Sequence, residues 1–345
     1  MKLTKQVLQQ AADKGVIDNS QVDPLWSFLS AQADLTPSFK MTHLFYYLGG
    51  LLAIGSMTLF MTLGWEAFGG WGIFFISLVY MAAGLAMLHG LSKRQYLLPA
   101  GICGTFVVAV TPLALYGLQQ AIGFWPDDTV YRDYHRLISW HWFYLEMGTL
   151  AVGAVILWRY RYPFMVMPIA VTAWYLSMDL AEMLMQRSTD WEFRAFVSIW
   201  SGIAMVLIAF WIDCRRDLTQ PKDFSFWLYL FGVIAFWGGL TSQHSDSELS
   251  KFLYCMTNLG LIFTGVLIFR RVFVVFGALG VSFYIGHLAY DTFKDSWLFP
   301  MALTVLGALV AYLGILWQKH ELAITNAARR IFPESWLKRL PQHQL

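Results

Sequence analysis

The sequence predicts an all-α protein: a polytopic bundle of about ten transmembrane helices with both the N-terminus and the C-terminus in the cytoplasm. Three observations lead there. The 345 residues are 57% hydrophobic and only 13% charged, with a mean hydropathy of +0.52. Soluble domains average about 45–50% apolar and about 25% charged residues, so this chain lacks the charge needed to coat a water-facing surface. The apolar residues fall in repeated runs long enough to cross a bilayer, and basic pairs recur in every second loop.

A spanning helix needs roughly 20 apolar residues, because each residue rises about 1.5 Å across a core about 30 Å thick. Runs of this kind are predicted near 43–64, 71–91, 97–121, 142–158, 164–185, 195–212, 225–241, 252–269, 272–290 and 298–317. Stretches such as 73–88 are apolar on every side, which suits lipid or a bundle interior. Apolar-polar alternation is absent, so a β-barrel is excluded. The first run begins only near His43, so the first span is the expected insertion signal and no cleavable leader is expected.

Before the spans, residues 1–40 predict a cytosolic helical hairpin. Leu3, Val7, Leu8 and Ala11 share a stripe, Lys14-Gly15 supplies a stop, and Asp18, Asn19 and Ser20 offer N-caps. Leu25, Phe28 and Leu29 would form the apolar face of the second helix, and Pro37 ends the unit. Residues 41–318 form the bundle. Residues 319–345 predict a basic amphipathic tail on the inner leaflet, with Leu322, Ala327, Ala328 and Ile331 as its apolar side.

Orientation follows from the cations. With the N-terminus inside, the inner loops carry Lys93-Arg94, Arg159/Arg161, Arg215-Arg216 and Arg270-Arg271. Of the 24 basic residues, only Arg132, Arg136, Arg187, Arg194, Lys251 and Lys294 fall outside. This is the positive-inside pattern, loop by loop. Tryptophans at 65, 71, 125, 140, 142, 191 and 297 mark the outer interface, and those at 158, 211, 227 and 317 the inner one. Trp174 and Trp200 fall mid-span and are expected to pack inside the bundle.

Ionisable groups within spans are costly, which makes them candidate functional residues. Asp179 and Glu182 are three apart on one helix face of the fifth span. Glu146 in the fourth span and His287 in the ninth lie at similar depth in the outer half, with Asp291 one turn beyond His287. Tyr175, Ser177, Asn258 and Tyr284 could complete a polar pocket. Convergence of these groups in a low dielectric would suit a proton-coupled or cation-binding site. The blander readings are snorkelling of the two glutamates and an interhelical hydrogen bond for Asp179. Pro99, Pro112, Pro163, Pro168 and Pro300 interrupt or open spans, as broken helices do in many transporters.

No metal site and no cofactor are predicted. His287 and Asp291 have i, i+4 spacing, but no HExxH is present and the histidines are scattered. The sequence has no Walker motif, dinucleotide fingerprint, CxxCH or nucleophile elbow. Cys103, Cys214 and Cys255 suggest no disulfide framework. Nucleic-acid binding has no basis beyond the inner charge.

Three stretches carry a resemblance: Tyr46-Tyr47-Leu48-Gly49-Gly50-Leu51-Leu52 after the hairpin, Gly64-Trp65-Glu66-Ala67-Phe68-Gly69-Gly70-Trp71-Gly72 at the first outer turn, and Gly286-His287-Leu288-Ala289-Tyr290-Asp291 with Phe293-Lys294-Asp295-Ser296. In these the chain resembles a bacterial group of uncharacterised multi-span inner-membrane proteins carrying a domain of unknown function. The resemblance implies a multi-pass location in the bacterial inner membrane, and no activity. Three functions fit the whole reading. The first is a permease for a small solute, cation- or proton-coupled. The second is a non-catalytic assembly, sensor or anchoring protein that acts through its cytosolic ends, the hairpin at 1–40, where a protein partner could bind, and the basic tail at 319–345. The third is a membrane enzyme using Glu146, Asp179, His287 and Asp291.

Overall fold

The computed structural model describes residues 8–9, 11–12, 15–33, 41–125, 140–185, 191–215, 223–243 and 247–293, with 301, 304, 305, 307, 308 and 312 from the last predicted span. The predicted tail 319–345 and most of the longest outer loop lie outside these residues. Every described element is helical, with no strand among the described residues. The helices are α1 (Asn19–Ala33), α2 (Met41–Lys93), α3 (Leu97–Ala121), α4 (Trp140–Tyr160), α5 (Val166–Met185, entered through a 3-10 turn at Pro163–Met165), α6 (Trp191–Cys214), α7 (Ser225–Thr241), α8 (Glu248–Ile268) and α9 (Arg271–Phe293).

Local signals set the ends of the N-terminal hairpin. Gly15 takes φ +69°, and the N–H groups of Gly15 and Val16 donate to the carbonyls of Ala12 and Ala11. That is the left-handed stop a glycine provides at no steric cost. The Asp18 N–H donates to Gln21 Oε1 at 3.2 Å, closing a capping-box contact at the start of α1. Leu8 and Val22 are buried. Leu25, assigned above to the apolar face, is 40% exposed, so Val22 is the residue that α1 buries. The side chains of Phe28 and Leu29 lie outside those described.

Five described segments are long and apolar enough to cross a membrane: Phe68–Lys93, Leu97–Ala121, Pro163–Ala181, Trp191–Cys214 and Glu248–Ile268. Leu44–Ala53, Ser225–Thr241 and Arg271–His287 are shorter apolar helices. Large apolar side chains such as Phe75, Leu207 and Phe283 point outward along them. Such a surface is compatible with an integral membrane protein.

The 53 residues of α2 are two limbs, not one rod. Gly69 breaks the helix with φ 61°, ψ 178°, a conformation nearly confined to glycine. A Cβ at Gly50 would meet Ile102, and one at Gly84 would meet Val107. Both limbs therefore lie along the same part of α3, and the chain reverses at Gly69. The later limb crosses α3 closely, since a Cβ at Gly117 would sit 2.6 Å from the Phe74 nitrogen. Glycine contacts likewise join α6 to α7 and α8 to α9, as expected where backbones approach without a driving force from water.

Prolines interrupt less than predicted. α3 runs through Pro112 as one helix, with the Thr111 hydroxyl donating to the Val107 carbonyl at 3.0 Å. Pro163 opens the 3-10 turn, and Pro99 and Pro168 occupy first turns, where a missing N–H costs least. Pro300 lies outside the described residues.

A chain of contacts gathers four loops at one end of the bundle. Tyr162 Oη donates to Ser92 Oγ at 2.8 Å, and the neighbouring Phe164 ring stands edge-on to Trp227 at 5.0 Å. Two residues before Trp227, Ser225 bonds Asp213 at 3.0 Å, and Asp213 binds Arg270. Lys93-Arg94, Arg159/Arg161, Arg215 and Arg270-Arg271 thus share an end. Three of the linkers there are short and bend through left-handed residues at Gln95, Arg161 and Phe269. Trp158 and Trp211 are exposed near that end, and Trp140 and Trp191 at the other. Trp125 departs from the interface role, being buried edge-on against Tyr116 at 4.5 Å. Trp174 packs internally, donating to Ser198 Oγ at 2.8 Å. Trp200 was expected inside the bundle, but it is 59% exposed and lies on the outer face of α6.

Candidate functional site

Antiparallel packing of α4, α5 and α6 sets their polar residues at one level. Glu146 lies six residues into α4, Asp179 six before the end of α5, and Arg194 three into α6. These positions share a depth near the end opposite the basic loops. Glu146 and Asp179 are both about 6% exposed. The Glu146 carboxyl lies beside the Asp179 carboxyl and the Trp142 side chain. Neither Glu146 oxygen has a hydrogen-bond partner of ordinary geometry among the described residues. Arg194 Nη2 stands 3.7 Å from Asp179 Oδ1, an ion-pair distance longer than a direct hydrogen bond.

Of the other predicted residues, Asn258 is elsewhere. It is fully buried, its Nδ2 donates to the Tyr254 carbonyl at 2.8 Å, and its amide fills the space that a Cβ at Gly280 would need. Asn258 packs α8 on α9. His287 is in α9, whose principal neighbours are α8 and α7, not α4 or α5. Tyr175 is exposed, and the Ser177 hydroxyl turns back to the Trp174 carbonyl at 2.6 Å. The backbones of Glu182 and Asp291 continue α5 and α9, while their side chains lie outside those described. Two carboxylates therefore meet, and the single pocket envisaged from four spans is split between two helix groups. No group of three His, Cys, Asp or Glu side chains suits a metal ion among the described residues.

No family model, curated protein or solved structure matches this chain. Chemistry must therefore be argued from the side chains themselves.

A second polar cluster, at the basic end, was not anticipated from the sequence. Arg270, between α8 and α9, donates from Nη2 to both Asp213 oxygens at 2.7 Å, and from Nε to Asp213 Oδ2 at 3.2 Å. Its Nη1 reaches Asp223 Oδ2 at 2.5 Å, and Nη2 also reaches Ser225 Oγ at 2.8 Å. The guanidinium lies 5.0 Å from the centre of the buried Tyr229 ring. Asp223 additionally caps α7 by accepting the Phe226 N–H at 3.2 Å. Burial acts to lower the Arg270 pKa, but hydrogen bonds and charge from Asp223 and Asp213 outweigh it and hold it above its ordinary value. The available signal was three charges flanking predicted span ends, and the positive-inside pattern alone seemed to account for the cation among them.

Proposed function

We propose that this protein is a ten-span permease of the bacterial inner membrane, with both ends cytoplasmic, which moves a small solute with a cation or a proton through a site at Glu146 and Asp179. The grouping of basic loops at one end supports the orientation, because cytoplasmic loops carry the excess of Lys and Arg. The observation carrying the function is the meeting of two buried carboxyls and one guanidinium across α4, α5 and α6. A structural ion pair needs one acid per base. Among the described residues of the cluster, acids outnumber bases, and that imbalance suits a site that takes up positive charge.

The test uses the full chain reconstituted in liposomes containing a pH-sensitive dye, under an imposed proton gradient. Addition of sodium or an alkylammonium salt should drive proton movement with the parent protein. Asp179→Asn and Glu146→Gln should abolish that movement at equal incorporation. Unchanged flux in both variants overturns the reading.

The competing reading is a non-catalytic assembly or anchoring protein acting through residues 1–40. It draws on the capped N-terminal hairpin with its buried Leu8 and Val22. Deleting residues 1–36 separates the two: a permease keeps its flux, whereas an anchor loses a co-purifying partner.

A further inference from the structure

The two carboxyls of the outer cluster are not equivalent, and their difference assigns them separate roles. Asp179 has a cation within ion-pair distance, Arg194 Nη2 at 3.7 Å. Glu146 is equally buried, yet it has no cation beside it among the described residues. Neither of its oxygens has a hydrogen bond of ordinary geometry among them, the Trp142 side chain being the donor nearby. The groups around it are accounted for element by element. From α5 it faces the Asp179 carboxyl, with Glu182 one turn further along the same helix. From α4 itself it faces Trp142. The neighbouring part of α3 presents amides and aromatic rings, Gln119, Gln120 and Tyr116, and the α3 sequence contains no charged residue. From α6 the nearest cation is Arg194, which stands at Asp179.

Formal charge then decides the ligand. Among the described side chains, two carboxylates and one guanidinium leave one negative charge in surroundings where an uncompensated ion is costly. A divalent metal would overcompensate that charge, and it would lack the further oxygen ligands it requires. We propose that Glu146, not Asp179, is the proton-binding residue, and that the Asp179–Arg194 pair is the fixed charge against which that proton is gained and released. This assignment rests on the reading of the cluster as a transport site, and it names the coupled species as a proton.

In the balanced step, a proton arriving from the outer side bonds to one Glu146 oxygen. The cluster becomes neutral and Asp179 stays paired with Arg194. Release breaks the same O–H bond and returns the proton to water, with no other bond changed.

The experiment is infrared absorption of the reconstituted full chain at neutral pH, which separates the C=O stretch of a protonated carboxyl from the bands of ionised carboxylates. The parent protein should show a protonated-carboxyl band that the near-isosteric Glu146→Gln removes. The double variant Asp179→Asn/Arg194→Gln deletes the fixed pair and should retain the band at parental intensity. A band that survives Glu146→Gln overturns the proposal, as does one lost in the double variant. Thermal unfolding of each variant checks that the fold persists, and Asp179→Asn/Arg194→Gln provides a second reading should Glu146→Gln perturb it. A Glu146 band in a protein that shows no cation-driven proton flux sinks the permease and leaves the proton site standing. Flux that persists in Glu146→Gln sinks the proton site and leaves the permease.

Discussion

Arg270 and Asp213, 57 residues apart in the chain, are joined through both carboxylate oxygens at 2.7 Å, and both side chains are almost wholly buried. The pair ties the end of α6 to the α8–α9 turn, while Asp223 and Ser225 bring in the start of α7. Three segments meet at a single guanidinium.

Removing that guanidinium should therefore be expensive. Arg270→Met leaves Asp213 as an unpaired buried charge, at a cost of about 3–5 kcal/mol. Arg270→Lys should recover only part of it, because an ammonium cannot reproduce the bidentate fork. Asp213→Asn combined with Arg270→Met should be milder than Arg270→Met alone, since no fully buried charge remains and Asp223, 30% exposed, keeps access to water. Thermal unfolding in detergent, followed by the fraction that stays monodisperse, ranks the three. Equal loss in all of them would mean that the cluster contributes nothing beyond its parts.

Adjacent glycines in α7 should behave oppositely. A Cβ at Gly239 would lie 2.6 Å from the Ala195 carbonyl oxygen, whereas one at Gly238 meets nothing within 4 Å. Gly239→Ala forces α6 and α7 apart and should cost about 1–3 kcal/mol. Gly238→Ala should be neutral or should stabilise by up to about 1 kcal/mol through helix propensity. Comparison of the two midpoints under one set of detergent conditions checks the sign of each.

The sequence made position along each helix legible and left rotation about it largely hidden. Residues 97–121 and 225–241 end where predicted, because an apolar run and its polar flanks define a span's length. The Lys14-Gly15 stop and the Asp18 cap were readable for the same local reason. Which way a side chain faces is another matter, since a helix apolar on all sides carries little record of its inner face. Glu146, Asp179, Asn258 and His287 were grouped by depth alone. Glu146 and Asp179 belong to one pair of packed helices, α4 and α5, and Asn258 and His287 to another, α8 and α9. Trp200 faces outward for want of the same information. Arg270 was legible only as a topogenic cation, because its partners lie 57 and 47 residues earlier in the chain.

Gly69 isolates a backbone effect. Its φ of 61° and ψ of 178° disfavour any side chain, but an added Cβ would touch nothing within 4 Å. Gly69→Ala should therefore cost about 1–3 kcal/mol from backbone strain alone. At Gly70 the problem is steric, since an added methyl would lie 2.5 Å from the Ala121 nitrogen. Gly70→Ala should push α2 from α3 and reduce the yield of folded protein more than Gly69→Ala does. Size-exclusion yield and midpoint together distinguish strain from displacement.

Orientation can be tested across one helix. α3 has 25 residues, about 37 Å at 1.5 Å per residue, which is enough to cross the hydrocarbon core. Tyr96 precedes it at the end carrying Lys93-Arg94, and Phe124 follows it at the other end; both are exposed. With Cys103, Cys214 and Cys255 replaced by serine, Tyr96→Cys and Phe124→Cys each present one thiol. A membrane-impermeant maleimide added to intact cells should label Phe124→Cys and reach Tyr96→Cys only after lysis, because the proposed orientation puts the basic end in the cytoplasm. Labelling in the reverse order would invert every loop together. Glu146 and Asp179 would then sit nearer the cytoplasmic face, and the proton that Glu146 binds would enter from the cell interior.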